Sequence, residues 1–279
     1  MPYSAEISRN QPSCFVFLID RSGSMEDAFG AGDSARTKAD GVADAINRLL
    51  QNLVIKCAKE DAIRDYYHVS VIGYGDKTGP AFVGSLAGRD MVPISEIGAS
   101  PARIEERRKK VDDGAGGLVE QSVRFPIWFE PVASGGTPMC QAMGTAAGVL
   151  ERWLSQYPDC FPPIVINITD GEATDGDPTS AADKLRSLSS SDGNVLLFNL
   201  HLSSHRGPSI DFPDNDAGLP DKYARLLFGM SSPLPSHIRS AAQQEGYAVS
   251  DGARGFVFNG GMESLIKFLD IGTRPSNLR

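Results

Sequence analysis

Three short segments of this 279-residue chain concentrate hard oxygen donors. Asp20-Arg21-Ser22-Gly23-Ser24-Met25 follows directly on the apolar run Cys14–Ile19, and Thr169-Asp170-Gly171-Glu172 follows the apolar run Ile164–Ile168. Between them, Ser134-Gly135-Gly136-Thr137-Pro138 lies just ahead of a helical pattern. Two carboxylates, Asp20 and Asp170, and three hydroxyls, Ser22, Ser24 and Thr137, form an oxygen-only donor set. Such a set suits Mg²⁺, Mn²⁺ or Ca²⁺ and poorly suits zinc or copper. Turn chemistry, with an Asp or Ser side chain bonding to nearby backbone, explains any one of these segments. It does not explain five oxygen donors gathered at three strand or helix boundaries.

Other titratable groups point less clearly to a site. Glu172, Asp175 and Asp177 crowd the loop after Asp170, but a calcium EF-hand counted from Asp170 needs glycine at its sixth position, where Asp175 stands. A solvated acidic loop is expected instead. His201 and His205 lie four apart but beside Gly207-Pro208, which favours loop histidines over ligands on one helix face. His68 and His237 sit in no Ser/His/Asp or Cys/His motif. The four cysteines, Cys14, Cys57, Cys140 and Cys160, include no CxxC pair, so reduced and mostly buried thiols are expected rather than a zinc or redox motif.

The elements that must position the oxygen donors alternate between strand and helix. Cys14–Ile19 is apolar at every position, as a parallel strand covered on both faces must be. Val69–Tyr74, Ile164–Ile168, Val195–Leu200 and Gly255–Phe258 read as further strands. Val42, Ile46, Leu49 and Leu53 recur at helical spacing within a helix expected over Ala35–Cys57 and capped by Asp33 or Ser34. Further helices are expected over Pro138–Trp153, Thr179–Leu188, Pro235–Glu245 and Met262–Asp270. The sum is an α/β fold: an open, Rossmann-like, mostly parallel central sheet with helices on both faces and ligands gathered at the carboxyl ends of its strands. Two insertions interrupt the alternation. That at 76–134 holds the charged stretch Arg103–Asp113, expected as a solvated helix face with i,i+4 pairs, and Val123–Phe129 as an edge strand. That at 203–236 holds a short amphipathic helix at Tyr223–Phe228. No internal repeat or long linker divides the chain, so 1–279 is expected to be a single domain with a core at about 12–271.

Composition narrows the function classes. With 41% apolar and 22% charged residues the chain has the ordinary globular mixture. Its apolar runs reach only about six residues against the ~20 that span a bilayer, so no membrane insertion is expected. Met1–Gln11 is polar and Cys14–Ile19 is too short for a signal-peptide core, which points to the cytoplasm. The net charge of −8, with cations scattered, argues against nucleic acid. Neither GxxxxGK[ST] nor GxGxxG follows a strand.

Asp20-x-Ser22-x-Ser24, then Thr137, then Asp170 resembles the metal-ion-dependent adhesion site of the von Willebrand factor type A domain, DxSxS followed by Thr and by Asp. All five positions occur in order, and the resemblance spans roughly Pro12–Ile271 and is closest to the compact bacterial intracellular versions. It implies a type A fold and a site holding Mg²⁺, with Mn²⁺ or Ca²⁺ as substitutes. Ser22 and Ser24 would coordinate directly, Asp20 and Asp170 directly or through water, and Thr137 in a way that depends on the partner. Two carboxylates and three neutral hydroxyls would leave a divalent cation formally neutralised, with an open position for a guest oxygen. The implied activity is not catalytic: a Glu or Asp of a partner protein, with a kinase/phosphatase system among the candidate partners, is gripped by the cation in a signalling, stress-resistance or defence assembly. The competing expectation is a metal-dependent hydrolase or phosphatase. Haloacid-dehalogenase-like phosphatases also keep an Asp after the first strand, but they want DxD, where this chain has Ser22.

Overall fold

Ser13–Asp20 forms strand β1, buried along its whole length. In a computed structural model, which describes residues 3–29, 36–60, 62–112, 118–202 and 208–273 (the backbone alone at 109–112 and 118–119), β1 lies at the centre of the sheet. Parallel neighbours flank it: β2 (Tyr67–Tyr74) on one side and β5 (Ile164–Thr169) on the other. Beyond β5 come β6 (Leu196–His201) and β7 (Phe256–Phe258), also parallel. Two-residue antiparallel strands finish the edges, Ile210–Asp211 on β7 and both Gly79–Pro80 and Val92–Pro93 on β2.

The uniform hydrophobicity of β1 follows from its two coverings. Phe15, Phe17 and Ile19 pack with Val42, Ile46 and Leu50 of α1 (Lys38–Cys57) and with Leu265 and Phe268 of α6 (Met262–Gly272). Cys14, Val16 and Leu18 face the other layer, built from α2 (Met139–Gln156), α3 (Thr179–Ser187) and α4 (Lys222–Met230). Successive strand side chains point to opposite faces, so a strand covered twice has no polar side. A further helix, α5 (Ser236–Gln244), packs Ile238 and Ala241 into the α1 layer. The α/β architecture is the expected one: a mostly parallel central sheet with helices on both faces.

Several boundaries and one assignment differ from expectation. Helix α1 starts at Lys38 rather than Ala35. Its cap is Thr37, whose side chain accepts from the Asp40 N–H at 3.0 Å, while the Thr37 N–H donates to Asp40 Oδ2 at 3.2 Å. The expected caps, Asp33 and Ser34, lie outside the described residues. The stretch Arg103–Asp113 is not a helix face. Arg103–Asp112 is strand β3, paired antiparallel with β4 (Leu118–Ile127) in a two-stranded ribbon separate from the main sheet. Val123–Phe129 therefore belongs largely to this ribbon and not to the sheet edge. Charge alternation at i,i+2 looks much like i,i+4 pairing when only residue types are read. Arg103 and Arg107 both reach Glu105, at 2.6 and 2.8 Å, along one face of the ribbon. Arg107 also pairs with Asp44 of α1 at 2.8 Å and lies over the Phe125 ring at 3.8 Å, which fixes the ribbon against that helix.

Among the described residues no helix is long and apolar enough to cross a membrane.

Candidate metal centre

Strands β1 and β5 are adjacent, in register from Phe15 opposite Ile164 to Ile19 opposite Ile168, so Asp20 and Asp170 emerge side by side at their carboxyl ends. The chain leaves β1 toward β2 and leaves β5 toward β6, in opposite directions across the sheet. The crest between them is the switch point where open α/β sheets collect ligands.

Asp20 is 1% exposed. Its Oδ1 accepts from the Ser22 N–H at 2.8 Å and its Oδ2 from the Thr169 hydroxyl at 2.6 Å. Burial raises the Asp20 carboxyl above its ordinary value, and the nearby Asp170 charge adds to the rise, while these hydrogen bonds oppose it. Ser22 then continues the chain of contacts, its Oγ 3.0 Å from the Oγ of Ser24. The Ser24 hydroxyl donates to Asp170 Oδ1 at 2.7 Å. Met25, fully buried, anchors the short 3₁₀ turn Gly23–Glu26 that presents Ser24.

Backbone bonds tie the loops together. The Arg21 N–H donates to Tyr74 O at 2.7 Å, the Ser134 N–H to Arg21 O at 2.6 Å, and the Gly23 N–H to Gly135 O at 3.0 Å. Gly135 is required there. Its φ is +81°, and a Cβ would stand 2.4 Å from the backbone nitrogen of Asp76. Gly135→Ala should therefore lower stability by about 2 kcal/mol in urea denaturation, since neither clash nor strain can be relieved by moving a side chain. A change below about 0.5 kcal/mol would show that the loop shifts freely.

Thr137 is 4% exposed and is clamped by a residue whose part the sequence did not reveal. Its N–H donates to the Thr174 hydroxyl at 2.9 Å, and the Thr174 N–H donates back to Thr137 O at 2.9 Å. A Cβ placed on Gly171 would lie 3.7 Å from the Thr137 hydroxyl and 4.0 Å from that of Ser24, so both hydroxyls face the same small glycine. All five sequence-identified residues thus meet at one crest.

The acidic loop is exposed, as expected, but it is more than solvated charge. Asp175 accepts from the N–H groups of Cys140 and Gln141, at 3.1 and 2.9 Å, and so caps α2, whose own leading residue Pro138 offers no side-chain cap. Asp177 accepts from the Thr179 N–H at 2.9 Å at the start of α3. Both are helix-end anions, a favourable position. A buried polar relay runs beneath the crest on the α2 side: Tyr74 OH donates to Asn167 at 2.6 Å, and Asn167 donates to Asn199 at 2.9 Å. That relay accounts for an asparagine within the apolar run of β5.

No histidine belongs to the donor set, although His201, a strand residue rather than the expected loop residue, ends β6 opposite Thr169. His201 is 7% exposed and stacks on Phe258 with centroids 5.0 Å apart, and His205 lies outside the described residues. His68 packs on Trp153 near the amino end of β2, and His237 on Phe161. The four thiols are free, and only Cys140 is partly exposed. Among the described residues no group of three or more His, Cys, Asp or Glu converges. Five hard oxygens without nitrogen or sulfur fit Mg²⁺ or Mn²⁺, and hydroxyls supply three of them.

No protein-family model matches the sequence, and no curated protein matches it significantly. Among solved structures the chain is similar to the manganese-loaded TRAP protein of Plasmodium vivax, at 14% identity over 96% of this chain and 76% of that one, with a TM-score of 0.44. It is similar to the ArnB paralog VWA2 of Sulfolobus acidocaldarius, at 16% identity over 71% of this chain and 36% of that one, with a TM-score of 0.36. A third likeness is to the vWF domain of the type V pili tip protein Mfa5 of Porphyromonas gingivalis, at 13% identity over 58% of this chain and 39% of that one, with a TM-score of 0.32. This chain thus spans well under half the length of the last two.

Proposed function

We propose that this chain is a metal-dependent protein-binding module, not an enzyme, in which a divalent cation at the β1–β5 crest grips an acidic residue of a partner. The observation that carries the reading is the continuous set of contacts from Thr169 through Asp20, Ser22 and Ser24 to Asp170, with the Thr137 hydroxyl beside it. Ser22, Ser24, Asp20, Asp170 and Thr137 would hold Mg²⁺, with Mn²⁺ or Ca²⁺ as substitutes. The ion supplies a Lewis-acidic position that accepts a guest carboxylate. The chain's own residues set the rest: the backbone ties to Tyr74 and Gly135 keep the donors in place, and Thr174 fixes the threonine that would respond to the guest. The setting that suits such a module is a bacterial cytoplasmic assembly, with a kinase/phosphatase system among its partners.

Capture from lysate of the source organism, by wild-type protein and by Asp20→Ala, each in Mg²⁺ and in EDTA, tests this. A partner retained only by wild type in Mg²⁺ is the expected result. Identical profiles in all arms would overturn it, leaving the site structural, idle or catalytic, and metal-dependent turnover of a phosphoester lost in Asp20→Ala would overturn it in favour of a hydrolase.

A further inference from the structure

Lys38 is the first residue of α1 and is only 2% exposed, a rare place for an ammonium unless it is paired. Its Nζ donates to Asp170 Oδ2 at 2.7 Å and lies 3.4 Å from Asp27 Oδ2. The Asp170 side chain is fully buried, whereas that of Asp27 is 62% exposed, so Asp170 is the partner that matters. Each Asp170 oxygen thereby accepts one hydrogen bond, Oδ1 from the Ser24 hydroxyl and Oδ2 from the ammonium. The lysine is also held firmly. The Thr37–Asp40 capping box sets the helix start, and the Lys38 N–H donates to Asp27 O at 2.9 Å.

This changes the charge of the donor set. Asp20 and Asp170 alone would neutralise a divalent cation. With the ammonium on Asp170, about one unit of positive charge is left over within the donor set once the ion is bound, and the exposed Asp27 carboxylate at 3.4 Å, screened by solvent, offsets it only in part. Two opposing effects follow from one group. Without metal, Lys38 supplies the opposite charge that a fully buried Asp170 needs, and keeps the cradle assembled. With metal, it repels the ion and shares its ligand, which loosens the ion but leaves it more attractive to a guest carboxylate.

We propose that Lys38 is a built-in counter-cation and positioning residue that sacrifices metal affinity to keep the metal-free cradle folded and the bound ion electrophilic. The inference rests on the metal-binding reading above. Mn²⁺ affinity by calorimetry, together with denaturation midpoints in EDTA and in saturating Mn²⁺, tests it on the full chain as wild type, Lys38→Met and Lys38→Gln. Both variants should bind Mn²⁺ about tenfold more tightly. Both should denature more easily in EDTA, Met more than Gln because Gln still donates to Asp170, and Mn²⁺ should restore most of the loss.

Unchanged or weaker Mn²⁺ affinity in folded variants overturns the role of Lys38 and leaves the metal reading standing. No Mn²⁺ binding by wild type or variants overturns the metal reading itself. Binding by the variants but not by wild type supports competition by Lys38 while removing metal use from the native chain. Failure of both variants to fold even in saturating Mn²⁺ also overturns the inference.

Discussion

Replacing Asp20 with asparagine should weaken Mn²⁺ binding by at least about 100-fold, which is roughly 2.7 kcal/mol, with the thermal midpoint in EDTA unchanged or slightly higher. The two effects separate because the carboxylate has two distinct roles. As a hydrogen-bond acceptor it serves the Ser22 N–H and the Thr169 hydroxyl, at 2.8 and 2.6 Å. Asparagine can keep both, accepting from Ser22 through Oδ1 and donating to a Thr169 hydroxyl that turns to accept. As a charge, however, Asp20 is buried beside Asp170, and both burial and that neighbour disfavour its ionised form. Neutralising it removes a cost to the metal-free fold and deprives the cation of one of the two carboxylate charges that would balance it. Calorimetry with Mn²⁺ and a thermal melt in EDTA read the two effects separately. Retained affinity would exclude Asp20 from the cation's ligands, and a large fall in midpoint would make it a structural residue.

The second large effect is expected away from the oxygen donors, at a buried amide. Asn47→Ala should cost about 4 kcal/mol in urea denaturation. Asn47 lies on the buried face of α1 and is 1% exposed. Its Nδ2 donates to Phe129 O at 2.8 Å, and its Oδ1 accepts from the N–H groups of Trp128 and Phe129 at 2.8 and 3.0 Å. One amide side chain thus satisfies three backbone groups of a buried segment that otherwise makes a single antiparallel bridge, Phe129 with Phe82, there. Alanine would leave them without partners or water, and each buried orphan costs about 1–3 kcal/mol. Trp128, whose indole N–H donates to Ile97 O at 2.7 Å, would lose its alignment as well. The same segment leads into Ser134–Thr137, so a weaker secondary loss of Mn²⁺ affinity should accompany the loss of stability. A cost under about 1 kcal/mol would mean that water enters and replaces the amide.

Local sequence determined whatever depends on near neighbours. The buried run of β1 is apolar on both faces because two helical layers cover it, and Asp20, Ser22 and Ser24 share one turn, so both were legible from a few consecutive residues. The amphipathic faces of α1 and α4 were legible for the same reason, as helical spacing repeats within each. The five oxygen donors could be recognised as a set by residue type and order alone. Their meeting was decided elsewhere, by the pairing of β1 with β5 and by the backbone ties among the Ser22, Ser134 and Thr174 loops. Residues whose part rests on one long-range contact carried no local signal: Lys38 against Asp170, Thr174 against Thr137, Asp175 at the start of α2, Asn47 against Phe129. The charged ribbon was misread because like and unlike charges two apart and four apart occur together in Arg103–Asp112, and only pairing with Leu118–Ile127 chooses the strand period. Periodicity is written in each segment, whereas the partner across a sheet or a loop is chosen by the packing of the whole chain, and in this protein that packing sets the charge of the candidate metal centre.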